Sequence, residues 1–166
     1  MLANSVMDNK TMSIRIMAES DIEGVAKAHE LAFSRQTLSK EWLTCALNAY
    51  PRNLCYLIEA ENHILAYIIW RQKSGFRPEV VLELEQIAVL PACQGQGIGQ
   101  ALITKSLDLV REHLALRGAR LKHILVSTRA DNHAQSLYKK VLGAKVEATI
   151  ENLFSADEVY MVARDV

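Results

Sequence analysis

The chain has 166 residues, half of them apolar, which is one domain's worth with a core large enough to stand without a metal or disulfide staple. Its three cysteines, Cys45, Cys55 and Cys93, show neither Cys-x-x-Cys nor a neighbouring His motif, which argues against a metal site or a secreted disulfide framework and fits a reducing, cytoplasmic setting. With 19 basic against 19 acidic side chains, the strongly basic kind of nucleic-acid binder is excluded, and the longest apolar run, Ile64 to Trp70, falls far short of the roughly 20 residues that a membrane span needs.

Residues 1–12 are polar and rich in small side chains, and read as a flexible tail before a single domain over 13–166. Ser13 to Met17 alternates polar and apolar, a short strand pattern. Ser20 with Glu23 reads as a capping box, followed at helical spacing by Ile22, Val25, Ala26, His29, Ala32 and Phe33. A second helix is predicted after Ser39, carrying Trp42, Leu43, Ala46 and Leu47 and stopping before Pro51. Leu54–Glu59 and Ile64–Trp70 flank a turn at Glu61-Asn62-His63, which predicts an antiparallel hairpin. Val80–Leu90 is a long strand closed by Pro91. Beyond the loop 92–97, a helix is predicted from Ile98 to about Arg117, with Gly118 at its end. A strand over Leu121–Ser127, a helix from about Asn132 to Leu142, and strands over Ala144–Ile150 and Val159–Ala163 complete an α+β order. The expected architecture is one mixed sheet of about seven strands flanked by about four helices.

Three of the seven glycines fall in the loop after the long strand. Gly95, Gly97 and Gly99 lie between a strand and a helix, so backbone N–H groups free of side-chain obstruction converge where the helix dipole favours an anion. A dinucleotide-binding fingerprint starting at Gly95 or Gly97 would need a third small residue at Gln100 or Leu102, and no Gly-Lys pair exists for a Walker loop. The spacing that does fit is Gln/Arg-x-x-Gly-x-Gly/Ala, present as Gln94-Gly95-Gln96-Gly97-Ile98-Gly99. Together with the strand ending Ile87-Ala88-Val89, with Pro91, and with the stretch Asp131 to Gly143 containing Ala134-Gln135-Ser136-Leu137-Tyr138, it resembles the acetyl-CoA-binding motif of the GNAT superfamily of N-acyltransferases. The order of elements is also similar.

The resemblance implies acetyl-CoA as co-substrate, with no metal, and acetyl transfer to an amine by direct attack in a ternary complex. Its pyrophosphate would rest on the loop from Gln94 and Gly95 through Gln96, Gly97, Ile98 and Gly99 to Gln100, and its pantetheine arm would pair with the backbone of Ile87, Ala88 and Val89. A bulge near Ile87 or Ala88 would aim a backbone N–H at the thioester oxygen. Glu83 matches the position of a family base, with Glu85 in reserve; both alternate with Leu82 and Leu84 and project to one face. Tyr138 is the implied general acid. Asn132 is the implied cofactor contact, although it stands one residue closer to Tyr138 than the family pattern and leaves Asp131 at the family's asparagine position. Trp42 and Tyr50 lie where this fold shapes its acceptor pocket. The acceptor is a small-molecule or protein amine, and a homodimer paired through terminal strands is one arrangement the resemblance allows. A non-catalytic acyl-CoA-binding or regulatory domain of the same fold is the alternative.

The neutral total conceals a local imbalance. Residues 95–140 carry 8 basic and 3 acidic side chains, so the stretch expected to hold phosphates is the cationic part of the chain, with Arg129, Lys139 and Lys140 as partners for the nucleotide end.

Overall fold

The computed structural model describes residues 11–166; of the tail expected over 1–12, all but Thr11 and Met12 lies outside the described residues. Strand β1 (Ser13–Ile16) leads through a 3-10 turn (Glu19–Asp21) into helices α1 (Ile22–Ala32) and α2 (Ser39–Asn48). The hairpin β2 (Asn53–Ala60) and β3 (His63–Gln72) follows, then β4 (Glu79–Val89), a 3-10 turn (Pro91–Cys93) and α3 (Ile98–Ala115). Strand β5 (Arg120–Arg129), α4 (Ala134–Leu142), β6 (Lys145–Ile150) and β7 (Glu158–Arg164) close the chain. The order is the one that the apolar periodicity predicts.

The seven strands form one sheet in the order β1-β2-β3-β4-β5-β7-β6. All pairings are antiparallel except β4 with β5, and that parallel pair is joined by the glycine loop and α3, the long crossover that parallel neighbours require. Helices α1 and α2 cover one face, where Val25, Leu43, Leu57, Tyr67 and Ile69 pack together. Helices α3 and α4 cover the other, over Trp70, Leu82, Leu102, Ile103, Ile124 and Met161. Because β3 is central and covered on both sides, Ala66 through Trp70 read as an unbroken apolar run and are all fully buried.

The start of α1 departs from the predicted Ser20–Glu23 box. The carboxylate of Asp21 instead accepts the Ala18 N–H at 2.8 Å. Arg15 holds that carboxylate with two hydrogen bonds of 2.7 and 2.8 Å, and reaches Glu59 on β2 with two more of 3.0 and 2.9 Å. Charge-assisted pairing of this kind outcompetes a serine hydroxyl. It also draws the Asp21 carboxyl below its usual range.

One feature of the sheet positions the candidate site. The β4–β5 register runs from Glu79↔Arg120 to Glu83↔Leu125 and stops there. Beyond that point β4 continues along β3 as far as Val89↔Ala66, and β5 continues along β7 as far as Arg129↔Glu158. The two central strands therefore diverge, and the β5-side edge of β4 is unpaired from Leu84 onward.

Candidate active site

The divergence coincides with a break in the strand's alternation. Trp70 pairs with Leu84 and Ile69 with Gln86, so Glu85 is an extra residue with no partner on β3. Such a bulge bends a strand and re-aims its side chains. Val80, Leu82 and Leu84 belong to the α3–α4 core. After the bulge Ile87 and Val89 take that side, while Ala88 enters the core under α1 and α2. The expected irregularity near Ile87 or Ala88 thus falls at Glu85. The signal was in the sequence: apolar residues step by two from Val80 to Leu84, by three to Ile87, and by two again to Val89.

Glu83 and Glu85 lie on the α1–α2 face by alternation with Leu82 and Leu84, and the bulge brings Gln86 to the same face. Lys73 donates to Glu83 at 2.9 Å, and Arg71 pairs with Glu85 at 2.8 Å. The two carboxylates that sequence spacing placed on one face are therefore together, each with its own cation. Burial raises the Glu85 carboxyl above the ordinary carboxylate range, and the neighbouring Glu83 charge adds to that rise, against the opposing pull of Arg71, Lys73 and Arg52. Gln86 is a site residue that the sequence reading missed. Its side-chain oxygen accepts from Tyr67 Oη at 2.8 Å and from Trp42 Nε1 at 3.2 Å, tying the bulge to α2. Tyr50, by contrast, turns its edge to the His113 ring, at 5.8 Å between centroids.

At the far end of β4 the chain enters the glycine loop. Gly95 and Gly97 have φ of +74° and +77°, and a Cβ on either would meet nothing within 4 Å. Their requirement is conformational, and the space in front of them is open. Gln94 and Gln96 brace the loop, donating to the carbonyls of Val89 and Ala92 at 3.2 Å each. A Cβ on Gly99 would lie 3.6 Å from Leu137 of α4 and 3.7 Å from Val89. The N-terminus of the 18-residue α3, Gln100 in its first turn, the end of β4 and the helix carrying Tyr138 thus adjoin one another. Cys93 is buried in the core rather than presented by the loop.

On α4, Tyr138 is 5% exposed, and burial pushes its hydroxyl up to about 12. Asn132 serves the start of that helix. Its Nδ2 donates to Thr128 Oγ1 at 2.9 Å and its Oδ1 accepts the Ala134 N–H at 2.9 Å, an Asx turn just ahead of the helix, which begins at Ala134. Arg129 is held by Asp131 in a bidentate pair of 2.9 and 2.8 Å. Of the three cations expected near the nucleotide end, Lys139 and Lys140 have no ion pair among the described residues, and Lys139 and Lys145 border an open recess of about 400 Å³. A second recess, of about 120 Å³, lies between α2 and the start of β2, with Trp42, Arg52, Asn53 and Arg71 in its wall.

This arrangement combines two backbone-based ways of holding a ligand, an open strand edge and a ring of loop amides at a helix N-terminus, with a pair of carboxylates at the point where the strands part. No helix among the described residues is long and apolar enough to cross a membrane. Solved structures with this fold include the ribosomal-protein-S18-alanine N-acetyltransferase of Escherichia coli, with a TM-score of 0.74, 19% identity, and 93% of this chain and 94% of that one covered. A putative acetyltransferase of Salmonella typhimurium, yncA, solved with acetyl-CoA, gives a TM-score of 0.69 at 19% identity, covering 93% and 94%. A spermidine N-acetyltransferase chimera of Vibrio cholerae SpeG and hSSAT gives 0.71 at 14% identity, covering 93% and 95%. No curated protein sequence matches the chain. The model of the acetyltransferase (GNAT) family matches residues 22–144, a span that holds α1, the diverging strands, the glycine loop and α4, and the chain belongs to that family.

Proposed function

We propose that the chain transfers an acetyl group from acetyl-CoA to a primary amine by direct attack in a ternary complex. The observation that carries this reading is the parting of β4 from β5 after Glu83, beside the glycine loop and next to Glu83 and Glu85. The unpaired edge from Leu84 to Val89, which includes Ile87 and Ala88, suits an extended arm that pairs with it as an added strand. The amides from Gly95 to Gln100 suit a pyrophosphate, and exposed Lys139 and Lys140 suit the nucleotide end. An alanine of ribosomal protein S18 and spermidine, the acceptors in the names of two of the neighbours, both offer an amine.

An amine must lose a proton to attack. For a lysine-like amine near pKa 10.4 that costs roughly 4.6 kcal/mol at pH 7. Glu85 takes the role of base ahead of Glu83, because burial brings its carboxyl closer to neutrality, where a proton acceptor works best. Glu83 stays paired with Lys73 and contributes its charge. Tyr138 acts as a hydrogen-bond donor to the departing sulfur rather than as a full acid. With a hydroxyl at about 12 against an ordinary thiol near 8.5, complete proton transfer would be uphill by roughly 5 kcal/mol.

The test follows thiol release from acetyl-CoA with a panel of amines. Glu85→Gln, with the fold checked by thermal unfolding, is expected to lower kcat/KM by about 10²–10⁴, Tyr138→Phe by about ten-fold. Wild-type activity should fall as pH drops below the raised Glu85 value, because the protonated carboxyl accepts nothing. A wild type that gains thermal stability from acetyl-CoA and yet releases no thiol with any amine is a non-catalytic acyl-CoA binder.

A further inference from the structure

The face of the sheet that α1 and α2 cover has a second half without helices. No residue of β5 to β7 belongs to the core beneath α1 and α2. On β7, Val159, Met161 and Ala163 enter the α3–α4 core, and on β5 so do Ile124 and Val126. By alternation, Glu158 and Tyr160 on β7, with Ser127 and Arg129 on β5, therefore point to the side that carries Glu83 and Glu85. They stand across the gap that opens where β4 leaves β5. The loop between β6 and β7 is drawn to the same side, since Ser155 accepts from Arg35, in the loop between α1 and α2, at 3.0 Å and from Arg129 at 3.5 Å.

Glu158 is the unmatched group in this floor. It is 6% exposed, and its carboxylate has neither a hydrogen bond nor an ion pair among the described residues. Burial lifts its carboxyl above the ordinary carboxylate range, against the pull of Arg129. That arginine is held by Asp131 in its bidentate pair, so Glu158 feels its field without a bond. The hydroxyls of Ser127 and Tyr160, both half-buried, likewise have no partner among the described residues. Around the loop, Arg35 and Arg129 stand against Asp131, Asp157 and Glu158, which leaves one negative charge over. A charge buried without a partner is costly, so this floor is suited to a ligand that brings a cation.

We propose that Glu158 is a second anchor for the acceptor, binding a cationic nitrogen remote from the reacting amine, and that the acceptor is a small diamine or polyamine. The inference rests on the acetyl-transfer reading above, which puts the reacting amine beside Glu85. Strand β7 lies two strands from β4, and Arg129, opposite Glu158, is four residues beyond Leu125, the last partner of β4. At ordinary strand spacing and rise, the positions of Glu85 and Glu158 are on the order of 10 Å apart. The ligand must hold its two charges at about that separation, and a short diamine cannot join them. An ammonium at Glu158 gains charge-assisted hydrogen bonds to the carboxylate, and the free hydroxyls of Ser127 and Tyr160 can accept its remaining hydrogens.

The test uses α,ω-diamines of increasing length and spermidine, each beside the monoamine of the same length. Calorimetric titration into the CoA-saturated protein reads binding; thiol release from acetyl-CoA reads turnover. Spermidine or one of the longer diamines is expected to bind at least about ten-fold tighter than its monoamine, and the shortest diamines no tighter than theirs. Glu158→Gln keeps the shape and removes the charge. With the fold checked by thermal unfolding, it should bring that ratio close to one, the loss falling on KM, and Glu158→Asp should restore part of it; a role in packing alone would leave the ratio unmoved. Equal binding of diamine and monoamine by wild type at every length, whatever the variants do, or a Glu158→Gln protein that keeps the preference, overturns the proposal, and turnover of the monoamines would then leave acetyl transfer standing. A diamine preference in binding without turnover of any amine would leave the Glu158 site standing and overturn acetyl transfer, so the two failures are distinguishable.

Discussion

His29 has no exposed surface, and its ring lies between Ser39 Oγ, 2.9 Å from Nδ1, and Gln36 Oε1, 3.0 Å from Nε2. Since the Gln36 oxygen can only accept, the proton sits on Nε2 and Nδ1 accepts from the serine, a neutral tautomer that ties α1 to the start of α2. Burial lowers the His29 pKa against the weaker pull of Gln36 and Glu30. In the unfolded chain the same ring titrates near 6.5. Below that pH the unfolded state binds a proton that the folded state refuses, so the contribution of His29 is whole above about pH 6.5 and is lost as pH falls through the depressed folded value. His113, lowered by burial and by Arg117, adds in the same direction. Urea unfolding between about pH 7.5 and 5.5 should show stability falling on acidification, at up to ~1.4 kcal/mol per pH unit for each such group. His29→Gln should flatten that slope, and an unchanged slope would remove His29 from the account.

At the scale of the element, the glycine loop separates backbone shape from access. An alanine at residue 97 would have to adopt φ near +77° but would touch nothing, so Gly97→Ala is expected to cost about 1–2 kcal/mol in chemical denaturation and to keep most of its affinity for acetyl-CoA. Gly97→Trp should cost a similar amount of stability, yet fill the open space before the loop amides. In wild type, ligand at about 100 times its dissociation constant adds roughly 2.7 kcal/mol of stability; in Gly97→Trp that gain should vanish. An equal gain in both would show that the ligand lies elsewhere. The loop was legible because its glycines stand between two strongly patterned elements, Val80–Leu90 and the helix from Ile98. The bulge was as plainly written, in the three-residue step from Leu84 to Ile87, but a strand read as simple alternation hides it, and with it the recruitment of Gln86. The ion partners Arg71 and Lys73 could not be read from spacing, because they reach β4 from β3 and the turn after it. Asp21 displaced the expected Ser20 cap for a similar reason, its partner Arg15 lying on another element.

At the scale of the molecule, the sheet is two packed halves. Strands β1 to β4 carry α1 and α2, strands β5 to β7 form the other part, and among the described residues the strand ladder between them runs only from Glu79 to Glu83 on β4. The bulge that accompanies this parting is a single inserted residue. Because Leu84 already faces Trp70 and Gln86 already faces Ile69, removing Glu85 would leave a strand of unbroken alternation with each remaining side chain on the face it now occupies. Three nucleotides deleted in frame would therefore straighten the strand without exchanging core for surface, a change that no substitution at this position can make. The shortened protein is expected to fold with its stability held or raised, as β4 becomes able to continue its pairing along β5, and to lose the stabilisation that acetyl-CoA confers. Glu85→Ala, which keeps the extra residue, should retain that stabilisation while losing turnover. Thermal unfolding of the two variants with and without acetyl-CoA separates what the inserted residue does by lengthening the chain from what its carboxylate does by accepting a proton.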